Sequence, residues 1–458
     1  MAFRITSGRA IVENTGKLKH APPKLEWKIH MKKVITPAGP LTGAISLPGD
    51  KSISHRYAII GAIAEGSTRI RNYSTGADCH STLGCVRALG IQVEGGGTEF
   101  VIHGRGLDGL RQAAGDLDAG NSGSTIRMLS GILAAQPFVS RIFGDESLSR
   151  RPMQRIMGPL GEMGAGIRAR EGKFPPLEIA GAALRPIDYT LPVASAQVKT
   201  CVLLAGLYAN GRTTVTEPMR SRDHTEIALR EFGADVTVER RTIALMGRPR
   251  LTACELHVPS DLSSAAFFLV AALLVPGSEL TIRGVGLNPT RSALLDFLTG
   301  MGADIRIPNL ESRNGELVGD LVVRHSELRG GTIEGALTAA LIDEIPVLAV
   351  LGAATERGIV VKDAAELRIK ETDRISTVVE NLRRAGIAAE ESPDGMTIPG
   401  RTQFRAAEFA SHGDHRIAMA FAVGALEGDG ASTIEGAEAA SVSFPEFWNT
   451  LESSAGRA

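Results

Sequence analysis

Cysteine is scarce in this sequence, and no two cysteines are spaced as a pair. The chain has 458 residues and four cysteines (Cys79, Cys85, Cys201 and Cys254), none of them in a C-x-x-C arrangement. A chain of this length can build a core without disulfide bonds. We therefore expect reduced thiols in a reducing, cytoplasmic compartment rather than a disulfide framework.

Long apolar runs and an excess of charge of one sign are also absent. The longest uninterrupted apolar run, Ala265–Val275, stops at Pro276 and is shorter than the roughly 20 residues that span a bilayer. The 50 lysines and arginines nearly balance the 51 aspartates and glutamates, so the chain lacks the positive field that non-specific nucleic-acid binding needs. We expect no membrane or nucleic-acid partner, and any anion binding must be site-specific.

Residues 1–30 do not share the pattern of the rest of the chain. They carry six lysines and arginines against Glu13 and Glu26, and they lack the apolar stretch of about 7 to 15 residues found in a secretory signal. We interpret residues 1–30 as an N-terminal extension. Disorder, a mis-assigned start before Met31 and a targeting peptide are the alternatives.

One sequence pattern occurs six times along the chain. In each copy a small or charged opening precedes an apolar helix-like run, a small-residue turn and a β-rich stretch. The copies open at Ser54, Ser124, Ala196, Ser263, Asp343 and Asp414. Successive copies begin 67 to 80 residues apart, which is longer than the period of common solenoid repeats. The long period favours a closed, pseudo-symmetric architecture over an open array.

Each unit contains two kinds of helix. The first is apolar all round, as in AAFFLVAALLV at Ala265–Val275, which is typical of a buried helix. The second is amphipathic, ends at glycine and precedes a β-branched strand, as in EIALREFGADV. This predicts an α/β fold of two inside-out, barrel-like domains, each made of three β-α-β-α-β-β units with buried helices and outer sheets.

The length of the chain exceeds what one hydrophobic core supports, and three units per domain is the natural partition. A polar, β-rich stretch around residues 240–257 marks the boundary. The first strand, near residues 33–47, precedes the first helix and is expected to pair with the far half of the chain. We therefore predict domain one at residues 31–48 plus 258–458, and domain two at residues 49–257.

Two glycine motifs resemble nucleotide-binding sites but do not meet their requirements. Residues 104–109 match G-x-G-x-x-G, yet no long helix pattern follows them, as a dinucleotide-binding unit requires. Residues 43–52 imitate a P-loop, but Asp50 separates the second glycine from the lysine. We expect no nucleotide cofactor at either place.

A metal site is not expected either. His412, Asp414 and His415 are the nearest approach to a ligand set. One carboxylate between two histidines, with no third anchoring cluster, is weak evidence for a metal.

Cations and polar donors recur at the starts of the apolar helices. They are Lys51, Ser52 and Arg56; Asn121, Ser124 and Arg127; Ser195, Gln197 and Lys199; and His415 with Arg416. A single residue of this kind is more often a helix cap or a surface ion pair. The recurring set favours an enzyme that holds phosphorylated or carboxylated substrates at helix N-termini.

Nine motifs carry a resemblance to a known family over about residues 33–450. In order they are LPGDKSISHR, AGNSGSTIR, GDESLSRRPM, ASAQVKT, SRDHTE, NPTR, IDEIP, LRIKETDR and GDHRIAM. The sequence resembles the 5-enolpyruvylshikimate-3-phosphate (EPSP) synthases, and DKS, SAQVK, RDHT and NPTR are similar to the second, often glyphosate-tolerant class. The family fold has two inside-out α/β domains of three repeats each, which agrees with the six units.

The resemblance implies two substrate sites and no metal or organic cofactor. The residues expected to hold shikimate-3-phosphate are Lys51, Ser52, Arg56, Ser195, Ala196, Gln197, Arg222, Asp343 and Lys370. The residues expected to hold phosphoenolpyruvate are Lys51, Gly123, Arg151, Gln197, Arg374, His415 and Arg416. Glyphosate is the expected competitive ligand, and a monomer is expected.

The resemblance also implies the chemistry. The methylene carbon of phosphoenolpyruvate is protonated, the 5-hydroxyl of shikimate-3-phosphate attacks C2, and phosphate leaves a tetrahedral adduct. Asp343 is the candidate for moving the hydroxyl proton, and Glu371 and Lys51 are the candidates for the methyl-group proton. The assignment among these three stays open at this point.

Two places depart from the common family pattern: Val442, and residues 121–124, which read Asn-Ser-Gly-Ser where the usual pattern is Asn-Ala-Gly-Thr. Val442 stands where many relatives have a lysine two residues before Phe-Pro, so one phosphate contact is missing and phosphoenolpyruvate binding should depend more on Arg416. Gly123 is retained where one strongly tolerant relative has alanine, which puts glyphosate tolerance in question.

Two other functions compete with this interpretation. A UDP-N-acetylglucosamine enolpyruvyl transferase shares the fold and the donor but uses a cysteine on a mobile loop, and no cysteine here lies in a Gly/Pro-rich loop. A non-catalytic anion-binding module would not need Lys51, Asp343 and Glu371 together.

Overall fold

The computed structural model describes residues 31–457. The extension predicted at residues 1–30 lies outside the described residues. Within residues 31–457, no helix combines the length and the apolar character needed to cross a membrane.

The chain up to residue 257 alternates strands with helices, and a 3₁₀ turn occupies Leu148–Arg150. The elements are β1 (Lys32–Ile35), β2 (Ala38–Ser46), α1 (Lys51–Ala62), β3 (Glu65–Arg71), α2 (Ala77–Ala88), β4 (Gln92–Gly96), β5 (Glu99–Arg105), β6 (Leu117–Asp118), α3 (Gly123–Leu133), β7 (Val139–Phe143), α4 (Gln154–Met163), β8 (Gly166–Arg170), β9 (Phe174–Ala180), β10 (Asp188–Thr190), α5 (Ala196–Gly206), β11 (Arg212–Thr216), α6 (His224–Glu231), β12 (Val236–Glu239), β13 (Thr242–Met246) and β14 (Glu255–His257).

The remaining chain repeats this alternation, with 3₁₀ turns at Ala365–Ile369 and Ala437–Val442. The elements are α7 (Leu262–Leu274), β15 (Glu279–Gly286), α8 (Ala293–Met301), β16 (Asp304–Arg306), β17 (Glu311–Arg313), β18 (Glu316–Arg324), β19 (Gly331–Ile333), α9 (Ala336–Leu341), α10 (Ile345–Ala354), β20 (Ile359–Val361), α11 (Arg374–Arg384), β21 (Glu390–Ser392), β22 (Gly395–Ile398), β23 (Glu408–Ala410), α12 (His415–Ala425), β24 (Ser432–Glu435), α13 (Phe447–Ser454) and β25 (Ala455–Arg457).

Six sheets correspond to the six repeats seen in the sequence. Five share one strand order. In it the first strand pairs with the second in parallel, and the second with the third and the third with the fourth pair antiparallel. Their orders are β14-β3-β5-β4, β6-β7-β9-β8, β10-β11-β13-β12, β2-β15-β18-β16 and β19-β20-β22-β21. The fourth sheet has two further strands, β25 beside β2 and β17 beside β18. In the units whose parallel strands are consecutive, an α-helical crossover joins them, as α3 joins β6 to β7.

The sixth unit departs from the predicted β-α-β-α-β-β order. Its sheet is β23-β24-β1, so β1 from the start of the described chain supplies a strand, antiparallel to β24. After α13 the chain ends in β25, which pairs with β2. The unit is therefore completed by a strand from the opposite end of the sequence.

The buried residues form two separate hydrophobic clusters. Core one contains buried residues from Ile35 to Leu47 and from Leu262 to Leu451. Core two contains buried residues from Ile53 to Val258. The apolar helices are buried along nearly their whole length, α7 and α10 in core one and α1 and α5 in core two, which explains why their apolar residues occupy every face.

The chain crosses between the two cores at two adjacent connections. The strand before α1 is β2, which pairs with β15, and the strand before α7 is β14, which pairs with β3. At the crossing, the N–H of Asp50 donates to the carbonyl of Pro259 at 2.8 Å, and the N–H of Asp261 donates to that of Pro48 at 3.0 Å. These bonds hold the starts of α1 and α7 side by side.

Candidate active site

The buried helices begin at capped N-termini that carry the predicted donors. The caps are Asp50 for α1, Ser122 for α3, Ser195 for α5 and Asp414 for α12; each side chain accepts a backbone N–H in the first turn. The residues that follow the caps include Lys51, Gly123, Ala196 and His415. These first turns provide the positive end of the helix dipole.

Side chains from α1, α3, α5 and α6 are linked within core two. Arg56 donates to Thr225 at 2.7 Å, to Thr200 at 3.0 Å and to the carbonyl of Ser52 at 2.8 Å. Gln197 accepts from Arg127 at 2.6 Å and donates to Ser124 at 3.0 Å. The predicted residues Ser52, Arg56 and Gln197 therefore lie at one end of the helical centre.

Asp343 is surrounded by cationic residues from both halves of the chain, residues 31–257 and residues 258–457. Arg222, from the loop before α6, donates to its carboxylate at 2.5 Å. Arg374 and Lys370 approach the same carboxylate at 3.7 and 4.0 Å, and Arg416 donates to the Asp343 carbonyl at 2.7 Å. Burial alone would raise the pKa of Asp343, but these cations hold it well below its ordinary value, so the carboxylate is ionised.

Glu371 also contacts cationic residues from both halves of the chain. Its carboxylate lies 3.3 Å from Arg151 and 2.6 Å from Arg374. Burial opposes ionisation, but Arg374 and Arg151, with smaller contributions from His415 and Lys51, hold the pKa of Glu371 well below its ordinary value. The site therefore contains two ionised, partly buried carboxylates surrounded by cations.

Lys51, the first residue of α1, is cationic. Its ammonium lies 3.0 Å from the carboxylate of Asp78. Burial by itself would lower the pKa of Lys51, but Asp78 and Glu371 outweigh burial and raise it. Lys370 behaves differently, because burial beside Arg374 and Arg222 lowers its pKa despite Asp343.

Several buried side-chain nitrogens in this region lack a hydrogen-bond partner among the described residues. They are Nε of Arg151, Nη1 of Arg374 and both ring nitrogens of His415. Burial lowers the pKa of His415 to about 3, so its ring is neutral at neutral pH. Buried polar atoms of folded proteins are normally paired, and an anion in the site would supply the missing acceptors.

Sequence reasoning missed two contacts of the site. Asp78 was not singled out, because its contact with Lys51 joins the starts of two helices and leaves no local sequence signal. Arg127 was noted at the start of its helix but was not assigned to a substrate. A signal was present, since Arg127 lies five residues after the cap of α3 and Arg56 six residues after the cap of α1, so both follow the first turn of a buried helix.

The residues of the HGDH motif at 412–415 and the four cysteines have the following surroundings in the structure. Among residues 31–457, no group of three or more His, Cys, Asp or Glu is placed to hold a metal ion. Asp414 instead receives bonds from Arg374 at 2.8 Å and from the N–H of Arg416 at 2.9 Å. All four thiols are free, and burial raises the pKa of each, which disfavours a cysteine acid.

Val442 lies close to the start of α2. It ends a 3₁₀ turn, and a Cβ added at Gly76 would lie 2.9 Å from its carbonyl oxygen. Gly76 caps α2, which carries Asp78.

Comparison with known proteins gives a consistent result. The model of the EPSP synthase (3-phosphoshikimate 1-carboxyvinyltransferase) family matches residues 35–451. The 3-phosphoshikimate 1-carboxyvinyltransferase of Solibacter usitatus is 77% identical over 422 residues, covering 92% of this chain and 99% of the relative. That of Koribacter versatilis is 52% identical over 423 residues, with 92% and 99% coverage.

Solved structures agree with the sequence comparison. An EPSP synthase from Acinetobacter baumannii is 42% identical, with a TM-score of 0.84 and coverage of 93% of this chain and 98% of that chain. The enolpyruvyl transferase NikO from Streptomyces tendae has a TM-score of 0.74 at 19% identity, with coverage of 92% and 96%, which shows a shared fold alone. The mixed α/β fold and the match along residues 35–451 leave one conclusion: the chain belongs to the EPSP synthase family.

Proposed function

We propose that the residues around Asp343 and Glu371 bind shikimate-3-phosphate and phosphoenolpyruvate together. The site transfers the enolpyruvyl group to the 5-hydroxyl of shikimate-3-phosphate and releases phosphate, as a transferase of the shikimate pathway to the aromatic amino acids. The observation that carries this proposal is the pair of ionised carboxylates, each contacted by cations from both parts of the chain. Such a site suits two multiply anionic substrates whose adduct carries their combined charge.

We propose that shikimate-3-phosphate lies against the starts of α1 and α5 and the loop before α6. Its ligands are Lys51, Ser52, Arg56, Ser195, Ala196, Gln197, Arg222, Asp343 and Lys370. Arg56 and Gln197 are held by neighbouring side chains, which supports a preformed subsite. Ala196 is the first residue of α5, and its backbone N–H is free of any i−4 partner within the helix.

We propose that phosphoenolpyruvate lies between the starts of α3 and α12. Its ligands are Lys51, Gly123, Arg151, Gln197, Arg374, His415 and Arg416. The unpartnered Nε of Arg151 and Nη1 of Arg374 support this placement. The neutral ring of His415 can donate to a phosphate oxygen without adding charge.

The protonation states support a division of roles among the three catalytic candidates. Asp343 is ionised and can accept the proton of the 5-hydroxyl during attack. Lys51 keeps its proton at neutral pH and can deliver it to the methylene carbon. Glu371, ionised and tied to Arg374 and Arg151, orients these cations and can take a proton back from the methyl group of the adduct. No step requires a metal or an organic cofactor.

The wider organisation is part of the proposal. Domain one comprises residues 31–48 plus 258–458 and domain two residues 49–257, as inside-out barrels; the two separate cores and the two adjacent crossings support this division. The motifs DKS, SAQVK, RDHT and NPTR support membership of the second EPSP synthase class. A cytoplasmic monomer that binds glyphosate competitively completes the proposal.

Paired substitutions on opposite sides of the site test the assignment of substrates. In Arg222→Gln, we expect the KM for shikimate-3-phosphate to rise about 30-fold or more, with a change below about threefold in the KM for phosphoenolpyruvate, since a charge-assisted bond contributes about 1.5 to 3 kcal/mol. Arg151→Gln should show the reverse selectivity. Steady-state phosphate release with each substrate varied in turn measures both, and equal effects on both KM values in both variants would contradict the assignment.

Alanine at position 123 tests the glyphosate proposal. A Cβ there would lie 3.2 Å from Nη1 of Arg127 and 3.5 Å from Nη1 of Arg151, so the methyl group intrudes on the proposed phosphoenolpyruvate subsite. For Gly123→Ala we expect the inhibition constant of glyphosate to rise about tenfold or more, because overpacking of about 1 to 3 kcal/mol penalises the bulkier inhibitor. The KM for phosphoenolpyruvate should rise less. An unchanged ratio of the two constants would argue against glyphosate binding at Gly123.

A further inference from the structure

A buried charge cluster lies directly beneath the site, at the crossing between the two cores. It consists of Asp50, Asp261, Glu344 and Arg291, here called the hinge cluster, and each member is at most 8% exposed. None of the four is assigned a contact with either substrate. Two of them are chain neighbours of catalytic candidates, because Asp50 precedes Lys51 and Glu344 follows Asp343.

Asp261 connects the two helices that start at the crossing. As the cap of α7, its Oδ1 accepts the N–H of Ser263 at 2.7 Å. Its Oδ2 accepts the N–H of Lys51, the first residue of α1, at 3.1 Å. One carboxylate therefore caps a helix of core one and also anchors the helix of core two that carries Lys51.

Arg291 supplies positive charge to this cluster. Its Nη2 lies 3.5 Å from Glu344 and 4.0 Å from Asp261, and it donates to the hydroxyl of Ser263, which in turn donates to Glu344. Burial alone would lower the pKa of Arg291, but Glu344, Asp50 and Asp261 raise it. Nε and Nη1 have no hydrogen-bond partner among the described residues, so the guanidinium is held through Nη2, by the Ser263 hydroxyl and by its attraction to Glu344 and Asp261.

The surrounding charges leave the cluster dependent on Arg291. Asp261 faces Asp50, Arg291, the more distant Arg416 and the backbone of Lys51. Glu344 faces Arg291, Ser263 and, at 4.0 Å, Arg416. The ammonium of Lys51 is directed to Asp78 instead. Without Arg291, three buried carboxylates would share only the more distant charges of Arg416 and of Arg56, which interacts with Asp50. Buried charges left without a close partner in this way are strongly unfavourable.

We propose that Arg291 is a positioning residue for enolpyruvyl transfer, which fixes Lys51 relative to Asp343 through Asp261 and Glu344. Lys51 and Asp343 stand at the starts of helices that belong to different cores, and the hinge cluster joins those starts. Misplacement of reacting groups by about 1 Å can slow catalysis about 10²-fold. This inference rests on the roles proposed above for Lys51 and Asp343.

Three variants of the full-length chain test the proposal. For Arg291→Met, we expect kcat to fall about 30-fold, with both KM values changing less than about threefold, because the substrate ligands remain in place. Arg291→Lys, which keeps the charge, should recover most of the loss. The double variant Arg291→Met/Glu344→Gln, which removes one carboxylate together with the cation, should be more active than Arg291→Met alone.

The pH dependence distinguishes positioning from a general loss of stability. Burial and Asp50 already raise the pKa of Asp261, and loss of the Arg291 charge raises it further. As pH falls, protonation of Asp261 relieves the repulsion in Arg291→Met, so the ratio of variant to wild-type kcat should rise between pH 8.5 and pH 6. Thermal unfolding at each pH gives the folded fraction used to correct kcat.

The outcomes separate this inference from the proposed function. If the wild-type chain releases no phosphate with both substrates, the proposed function fails before Arg291 is tested. If the wild type is active and Arg291→Met keeps kcat within twofold, the positioning role is wrong. A kcat ratio independent of pH, with no recovery in the double variant, also overturns it. If Arg291→Met does not fold, the test uses Arg291→Lys and the double variant. Their kcat values are then compared with each other over the same pH range.

Discussion

Asparagine in place of Asp343 is expected to lower kcat for enolpyruvyl transfer by about 10³-fold. The amide preserves the shape of the side chain and can still accept a bond from Arg222, but it cannot take the proton of the attacking hydroxyl. General-base catalysis contributes about 10² to 10⁴ in rate. Loss of the negative charge among Arg222, Arg374 and Lys370 adds to the effect. Phosphate release at saturating concentrations of both substrates measures kcat directly.

Asp296→Asn is the matched control for this substitution. Asp296 is exposed on α8 and lies outside the proposed site, so the same chemical change should leave kcat within about twofold of wild type. If Asp343→Asn retained more than about a tenth of the wild-type kcat, Asp343 would not be the base, and the charge arrangement around it would serve binding alone.

Methionine in place of Lys51 should lower kcat/KM by about 10³-fold or more. The substitution removes the candidate proton donor and one of the cations that stabilise the adduct. It also leaves Asp78, which is 6% exposed and whose Oδ1 has no hydrogen-bond partner, as an uncompensated buried carboxylate. Breaking a buried ion pair in this way costs about 3 to 5 kcal/mol of stability, so the variant should also unfold at a lower temperature.

The double variant Lys51→Met/Asp78→Asn separates catalysis from stability. With the carboxylate neutralised, we expect much of the lost thermal stability to return while kcat/KM stays low. Recovery of activity together with stability would show that Lys51 acts through folding, and the proton-donor role would then be wrong.

The fold could be predicted from the sequence where the pattern is local. The all-round apolar run at Ala265–Val275 indicated a buried helix, and α7 is buried throughout. The small-residue turns and the glycines at helix ends predicted six repeated units, and the described residues form six sheets. The expected pairing of the first strand with the far half is confirmed by β2 with β15 and by β1 with β24.

Contacts between distant segments could not be predicted in this way. Each of β2 and β14 pairs with a strand of the other core, and β1 completes the sheet of the last unit. All three pairings join segments that lie far apart in the sequence. No local propensity encodes such register. The same limit explains why Asp78 was missed, whereas Asp343 and Glu371 could be named from motifs.

The measurement that most directly tests this account is phosphate release by the purified wild-type chain. The assay supplies phosphoenolpyruvate alone, then with shikimate-3-phosphate, then with UDP-N-acetylglucosamine. The account predicts release only when phosphoenolpyruvate and shikimate-3-phosphate are present together. Release with UDP-N-acetylglucosamine instead, or no release with either acceptor, would contradict it.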